Sequence, residues 1–459
     1  MATFELSENA DSITGTANDD LIRGGANTLQ TADTVNGNGG LDRLVAGVVQ
    51  NGVQAPTITD VETLFLDTGG LPFDISNVSG AERIFADVAS ITLRSIETAD
   101  LSTRFGAFGV MSGTVKLQFA DGALEADDDV LLLQANDSNV TFTSNSFFDS
   151  TNDGEMNQTA DRLRVENINL VLGGAENQVD ISDFTALQSL HLFGPASSKI
   201  FIDAPTLQRV DARNTTGGVE ITNDSAGNQT FVGGSGNDNF KTGSGNDVLR
   251  GMDGDDVLTA GGGDNLVYAG DGNDQVTSEQ GSDRINAGAG DDFVSSGSGD
   301  DVLIGGAGND ELVAGDGADF IYGNAGNDDI RGQGGADTIY DNIGDDVVRA
   351  GGDNDTIVAG AGTDEFWGGG GVDTFRFSGG FGEDTVKDFT LTSSTSTNDI
   401  VEFTANGTQH TLQSQNDFET FEMNNPDRVS VDSNRDIVTI EADTGTIILE
   451  VSDADFLVA

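Results

Sequence analysis

The chain has 459 residues and a formal charge of −58, from 78 acidic residues against 20 basic ones. That balance repels nucleic acid and anionic membrane surfaces and attracts cations. The absence of cysteine excludes disulfides, thiolate metal sites and cysteine nucleophiles together.

The opening residues, MATFELSENADSITGTANDD, hold no apolar run of the length that a secretory leader needs, so a classical signal peptide is not expected. No stretch approaches the ~18 apolar residues of a membrane span; VLLL at 130–133 is typical of the longest runs. Asp20, Asp33 and Asp42 are each followed two residues later by an apolar side chain, Ile22, Val35 or Leu44.

A looser repeat follows. VETLFLDTGG starts at 61 and AERIFADVAS at 81; LQSLHLFGPA starts at 187 and LQRVDARNTT at 207. Both pairs are twenty residues apart, with alternating segments such as NQVDISDF (177–184) and KIFIDAP (199–205) between members. Short strands at a twenty-residue step predict an irregular β-solenoid over 1–232, with a β-sandwich as the alternative.

The pattern then becomes literal. Stepping by nine from Asp238 reaches Asp247, Asp256, Asn265, Asp274, Asp283, Asp292, Asp301, Asp310, Asp319, Asp328, Asp337, Asp346, Asp355, Asp364 and Asp373. Two residues after each comes an apolar side chain, from Phe240 and Leu249 to Phe366 and Phe375. Two residues before each comes Gly, except at Asp353. A short x-apolar-x strand and a six-residue turn, G-G-x-G-x-D, account for this phrase, because glycine tolerates left-handed backbone. Two nonapeptides make one coil, so alternate aspartates form two columns: Asp238, Asp256, Asp274 onward, and Asp247, Asn265, Asp283 onward.

One buried apolar side chain per nine residues is too little to offset backbone ordering and carboxylate repulsion. A cation between the columns is therefore required. Residues 233–376 carry 26 Asp and 3 Glu against 6 Lys and Arg. Carboxylate and carbonyl oxygens without His or Cys favour Ca²⁺ over zinc or copper, and the loose carbonyl-lined turns suit it better than Mg²⁺. These residues resemble the RTX (repeats-in-toxin) family, a β-roll built on Ca²⁺-binding nonapeptides. The resemblance implies several Ca²⁺ ions held between carboxylates and turn carbonyls of repeats one coil apart. It makes metal ligands of the aspartates of the nine-residue series, and of Asp20, Asp33 and Asp42. Sites touching Asn265 and Asp353 are expected to be weak or empty.

After residue 376 the register breaks. GGFGEDTVKDFTL, DIVEFT, DIVTIEA and GTIILEVSDADFLVA alternate like strands of an antiparallel cap over 377–459. The ending resembles the uncleaved C-terminal signal of type I secreted RTX proteins, with Asp455, Phe456 and Leu457 carrying the likeness. The N-terminal half, with VDISDFTALQSL, resembles the calcium-dependent surface-layer (S-layer) proteins of Gram-negative bacteria. The fold expected is all-β: an irregular solenoid (1–232), a parallel β-roll of sixteen nonapeptides (233–376), and a small antiparallel cap.

Catalytic chemistry is poorly supplied. His191 and His410 are the two histidines, and neither an H-E-x-x-H nor a G-x-S-x-G occurs, which argues against RTX metalloproteases and lipases. A β-solenoid polysaccharide lyase or epimerase needs a positioned acid and base. Yet Tyr268, Tyr322 and Tyr340 all lie in the repeats, and the acidic triple Asp127, Asp128 and Asp129 suits a solvated turn. Trp367 suits packing near the cap or a carbohydrate contact. The expectation is a non-enzymatic, secreted, calcium-binding structural protein of the bacterial surface or matrix. Its expected partners are copies of itself, the type I export machinery and cell-surface polysaccharide, with an RTX adhesin as the alternative.

Overall fold

The computed structural model describes residues 2–7, 10–24, 28–29, 33–47, 56–67, 72–75, 77–86, 91–96, 104–107, 111–119, 130–136, 138–144, 165–391, 398–425, 427–432 and 437–451. Asp127, Asp128 and Asp129, and the terminal Asp455, Phe456 and Leu457, lie outside them. The chain divides into two compact units, residues 1–240 and 241–459.

The first unit is a parallel solenoid, and the twenty-residue repeat is its coil. Strands Thr63–Asp67 and Arg83–Ala86 run parallel, with Leu64 opposite Ile84 and Phe65 opposite Phe85. Ser189–Gly194 and Arg209–Thr215 do the same, placing Leu190 opposite Val210. A second sheet stacks Val179, Ile200 and Ile221. Parallel pairing at this step excludes the sandwich, whose neighbours are antiparallel. In VDISDFTALQSL the residues Val179, Ile181, Phe184, Leu187 and Leu190 are all fully buried. Two tight turns fold this segment inward, with Phe184 N–H donating to Ile181 O and Leu187 N–H to Phe184 O.

The second unit repeats with far less variation. Leu249, Val267, Ile285, Leu303, Ile321, Ile339, Ile357 and Phe375 stand opposite one another in one sheet, each eighteen residues from the next. Leu258, Val276, Val294, Leu312, Ile330, Val348 and Phe366 form the matching stack of the other sheet. All are buried. Apolar side chains stacked in register support a narrow core that single residues could not build.

Strands here are longer than the expected x-apolar-x. Val302–Ala307 and Phe320–Ala325, for example, run six residues into the glycine turn. Each therefore has two inward positions, a large one and a small one: Leu303 with Gly305, Leu312 with Ala314, Val294 with Ser296. At Gly290 (φ +133°) an added Cβ would lie 2.1 Å from Gly272 O, so the coils approach as closely as glycine permits.

Two segments expected in the antiparallel cap instead continue the parallel stack. Gly382–Phe389 pairs with Glu365–Gly370, and Ile400–Ala405 with Thr374–Phe377. Antiparallel strands follow: Thr408–Leu412 on Ile400–Ala405, then Val429–Asp432, Ile437–Glu441 and Gly445–Val451. The cap also holds an unexpected helix, Gln415–Asn424, started by a capping box of Ser414 and Asp417 and seated on Phe418 and Phe421. Phe421 packs edge-on to Phe403 (5.2 Å) and His410 (4.7 Å).

Gly290→Ala is expected to destabilise the calcium-loaded chain by ~2 kcal/mol or more, read from its denaturation midpoint. Gly262→Ala, where the new Cβ would meet nothing nearer than Gln280 O at 3.8 Å, is expected to stay within ~0.5 kcal/mol. Equal effects would contradict the close coil approach at Gly290.

Candidate metal centre

Each aspartate of the nine-residue series ends a glycine turn and points inward, ahead of the buried apolar residue. From Asp247 to Asp373 all are buried. They form the two expected columns. In one, the N–H of Asp256 donates to Asp274 Oδ1 (2.7 Å), Asp274 to Asp292 (2.7 Å), Asp292 to Asp310 (2.9 Å), Asp310 to Asp328 (2.8 Å) and Asp328 to Asp346 (2.7 Å). In the other, Asp283 donates to Asp301 (2.7 Å), Asp301 to Asp319 (2.8 Å), Asp319 to Asp337 (2.9 Å) and Asp337 to Asp355 (2.8 Å). One carboxylate oxygen thus welds each coil to the coil before it.

The other oxygen has no such use. Oδ2 of Asp274, Asp292, Asp310, Asp319, Asp328, Asp337, Asp346 and Asp355 is buried without a hydrogen-bond partner. Buried polar atoms are normally satisfied, so this row points to something absent from the protein itself. The surroundings narrow the choice. A Cβ built on Gly305 would lie 2.4 Å from Asp310 Oδ2 and 3.0 Å from Gly323 O. On Gly332 it would lie 2.2 Å from Asp337 Oδ2 and 2.5 Å from Ala350 O. Carboxylate and next-coil carbonyl oxygens therefore face one another across a space cleared of side chains.

Asn265 shows what that space accepts. Its Oδ1 receives the Asp247 N–H (2.9 Å), as an aspartate would, but its Nδ2 donates to Gly263 O (2.9 Å), Gly261 O (3.3 Å) and Ser278 Oγ (3.2 Å). The amide meets the carbonyls with hydrogens of its own. A carboxylate has none to give, so a cation with oxygen ligands fits between it and the same carbonyls. A hard divalent ion such as Ca²⁺ matches this donor set. These bonds are a geometric reason to expect a weak or empty site at Asn265.

Without that cation the carboxyls resist ionisation. Burial first, and then neighbouring carboxylates, push Asp274, Asp310 and Asp346 up to about 7 and Asp355 up to about 8, against the lowering by one backbone N–H each. Asp292, Asp319 and Asp337 rise to about 6, again chiefly through burial.

The remaining expected ligands vary. Asp42 is buried with a free Oδ2, 2.2 Å from a Cβ built on Gly37. Asp33 is buried and accepts from Asp11 N–H at 2.8 Å. Asp20 spends both oxygens, one on Ala2 N–H and one on Thr16, and its value falls below the usual range, chiefly through the Thr16 N–H. Asp238 also uses both, accepting from Val219 N–H (2.7 Å) and Gly234 N–H (2.8 Å).

Other residues join the columns unannounced. Asp364 N–H donates to Asp384 Oδ1 (3.1 Å), and Asp373 N–H to Asp399 Oδ1 (3.0 Å). Both keep the aspartate-x-apolar signature, with Val386 and Val401, but at steps of 20 and 26 residues. Glu62 takes the same part in the first unit, accepting from Asp42 N–H at 2.6 Å. Where the residue before a buried aspartate is Asn or Asp, it also has a task. Asp255, Asn273, Asp291, Asn309 and Asn327 each accept, through Oδ1, the N–H eighteen residues later. The frequent Asn-Asp and Asp-Asp pairs are therefore two opposed clamps, one to the preceding coil and one to the next.

Asp292→Ala and Asp310→Ala are each expected to raise the Ca²⁺ midpoint for folding by roughly threefold or more; an unchanged titration by circular dichroism would contradict the ligand assignment. The raised carboxyls add a pH dependence. A group whose folded value lies above its unfolded 3.8 favours folding while protonated, and that contribution is lost as pH rises through about 6–8. In metal-free buffer, β content should therefore increase as the pH is lowered from about 8 to about 5. With saturating Ca²⁺ the same titration should be flat; a flat metal-free curve would refute the burial of unpaired carboxylates.

The sequence comparison agrees with this geometry. A family model for the RTX calcium-binding nonapeptide repeat, four copies long, matches residues 7–28, 223–251, 241–276, 268–303, 277–312, 304–339 and 340–375. No curated protein matches the chain. Residues 223–375, with a further match at 7–28, are RTX calcium-binding nonapeptide repeats.

Proposed function

We propose that this is a secreted, calcium-stabilised structural protein of the cell surface or extracellular matrix, without catalytic activity. The acidic chain leaves the cell unfolded, takes up several Ca²⁺ ions outside, and associates with copies of itself into a layer or filament. The observation that carries this reading is the double column of buried aspartates, of which Asp274, Asp292, Asp310, Asp319, Asp328, Asp337, Asp346 and Asp355 each have one oxygen spent on the neighbouring coil and one unspent. Such a fold is at odds with itself at low calcium and consistent at the ~10⁻⁴–10⁻³ M affinities of extracellular modules. Among the described residues no helix is long and apolar enough to cross a membrane. His191 lies between buried Leu190 and Leu192 on the other face of its strand, and His410 packs on Phe403 and Phe421 in the cap. Neither placement supports an acid–base pair.

A second reading, an adhesin that holds surface polysaccharide, is favoured by one feature. Tyr322 and Tyr340 stack at 4.9 Å, 6° from parallel, and half-exposed Tyr268 lies on the same face of that sheet. Flat aromatic surfaces of this kind suit sugar rings.

Electron microscopy of the purified chain during Ca²⁺ addition tests assembly. Ordered sheets or filaments that dissolve under a chelator are expected; dispersed single molecules at every Ca²⁺ concentration would overturn it, and retention on a glycan array would then favour the adhesin. Removing residues 453–459 is expected to trap the protein inside cells, and normal export of the truncated chain would refute the type I route.

A further inference from the structure

The small inward position five residues before each buried aspartate has one exception. It is Gly305, Ala314, Gly323 and Gly332 before Asp310, Asp319, Asp328 and Asp337, and Ala350 and Ala359 before Asp355 and Asp364. Before Asp346 it is Asp341. Where a hydroxyl fills the position, it donates to a carbonyl of an adjacent coil, as Ser296 Oγ does to Ala314 O at 2.8 Å and Ser278 Oγ to Gly261 O at 3.3 Å. An ionised carboxylate cannot.

Asp341 is fully buried. Its Oδ1 accepts from Asn342 N–H at 2.6 Å, and its Oδ2 has no partner. Asp346 and Asp364, successive members of one column, contribute two more buried Oδ2 atoms without partners. Each of the three residues offers an oxygen within 4.8 Å of the others. A single proton would join one pair of those oxygens; a cation would serve all three. Ordinary intervals of the roll supply two carboxylates from consecutive coils, so this interval carries one extra negative charge in the same cleared space.

We propose that Asp341, Asp346 and Asp364 form a three-carboxylate cation site distinct from the repeating ones, and that it holds the most tightly bound divalent ion of the second unit. Ligand charge count is a main determinant of Ca²⁺ affinity in oxygen sites, and the third carboxylate is expected to tighten binding about tenfold over the two-carboxylate intervals. The inference rests on the calcium reading of the roll, but can fail separately from it.

The test is calcium binding by flow dialysis on the full chain, comparing the natural protein with Asp341→Gly and Asp341→Asn. The glycine variant restores the residue found at Gly323 and Gly332; the asparagine variant keeps the shape, removes the charge and mimics a protonated Asp341. The natural chain should show one ion bound about tenfold more tightly than the rest, and both variants should lose that class while keeping the other ions and the Ca²⁺-induced change in circular dichroism. A single affinity class in the natural chain, or a tight ion that survives both substitutions, overturns the proposal. So does an additional ion in Asp341→Gly, which would mean that the carboxylate blocks the space rather than ligating in it. No calcium binding by the natural chain would instead sink the calcium reading itself.

Discussion

The constraint on which the roll depends is a half-satisfied carboxylate, repeated. Each buried aspartate accepts one backbone N–H from the coil before it, and in most intervals its second oxygen faces carbonyls instead of donors. An uncompensated buried charge costs several kcal/mol. Coils stack at ~4.8 Å, so the charges of one column also repel along its length. The buried apolar stacks cannot offset both, because each coil contributes only two large side chains. Cations held between the coils would turn the same carboxylates from the largest unfavourable contribution into cross-links.

Much of the composition follows from keeping that space open. Glycine, alanine or serine fills nearly every second inward position because a larger side chain would strike a carboxylate or carbonyl oxygen, as the contacts around Gly305 and Gly332 show. Positive φ at Gly288 and Gly290 turns the chain where two coils come close together. Met252, Asn324, Gln333, Asn342 and Asp353 adopt the same backbone region without being glycine, a strain that the ladders on either side sustain. Asn265 is the internal control. Its amide supplies the donors that aspartate lacks, and the carbonyls beside it are satisfied by the protein alone.

The sequence made the repeating part of this legible because its period is literal. Every aspartate from Asp247 to Asp373 fell in its expected column, and the apolar residue two positions on fell in the core. The twenty-residue echo likewise located Leu64 opposite Ile84 and Leu190 opposite Val210. What escaped was whatever kept the geometry while changing the spacing. Asp384 and Asp399 continue the columns after longer excursions, and Glu62 does so with a longer side chain. The residue before each aspartate looked variable because Asn, Asp and smaller or apolar residues such as Ala318 and Val372 all occur there, although Asn and Asp present the same acceptor. The cap helix was hidden by its length: one turn of Phe418 and Phe421 behind a Ser414–Asp417 capping box is a weak periodic signal beside so many strands. Asp341 read as one more acid in an acidic chain, and only its place on the inner face distinguishes it.

The central claim is that cations between the carboxylate columns, rather than the apolar stacks, hold the second unit together. Amide hydrogen exchange at neutral pH tests it most directly, by following the N–H groups of Asp274, Asp292, Asp310 and Asp328 in Ca²⁺ and after chelation. These four donate to the next carboxylate of their column. Strong protection in Ca²⁺ that collapses together on chelation is the predicted result. Equal protection in both conditions would contradict it.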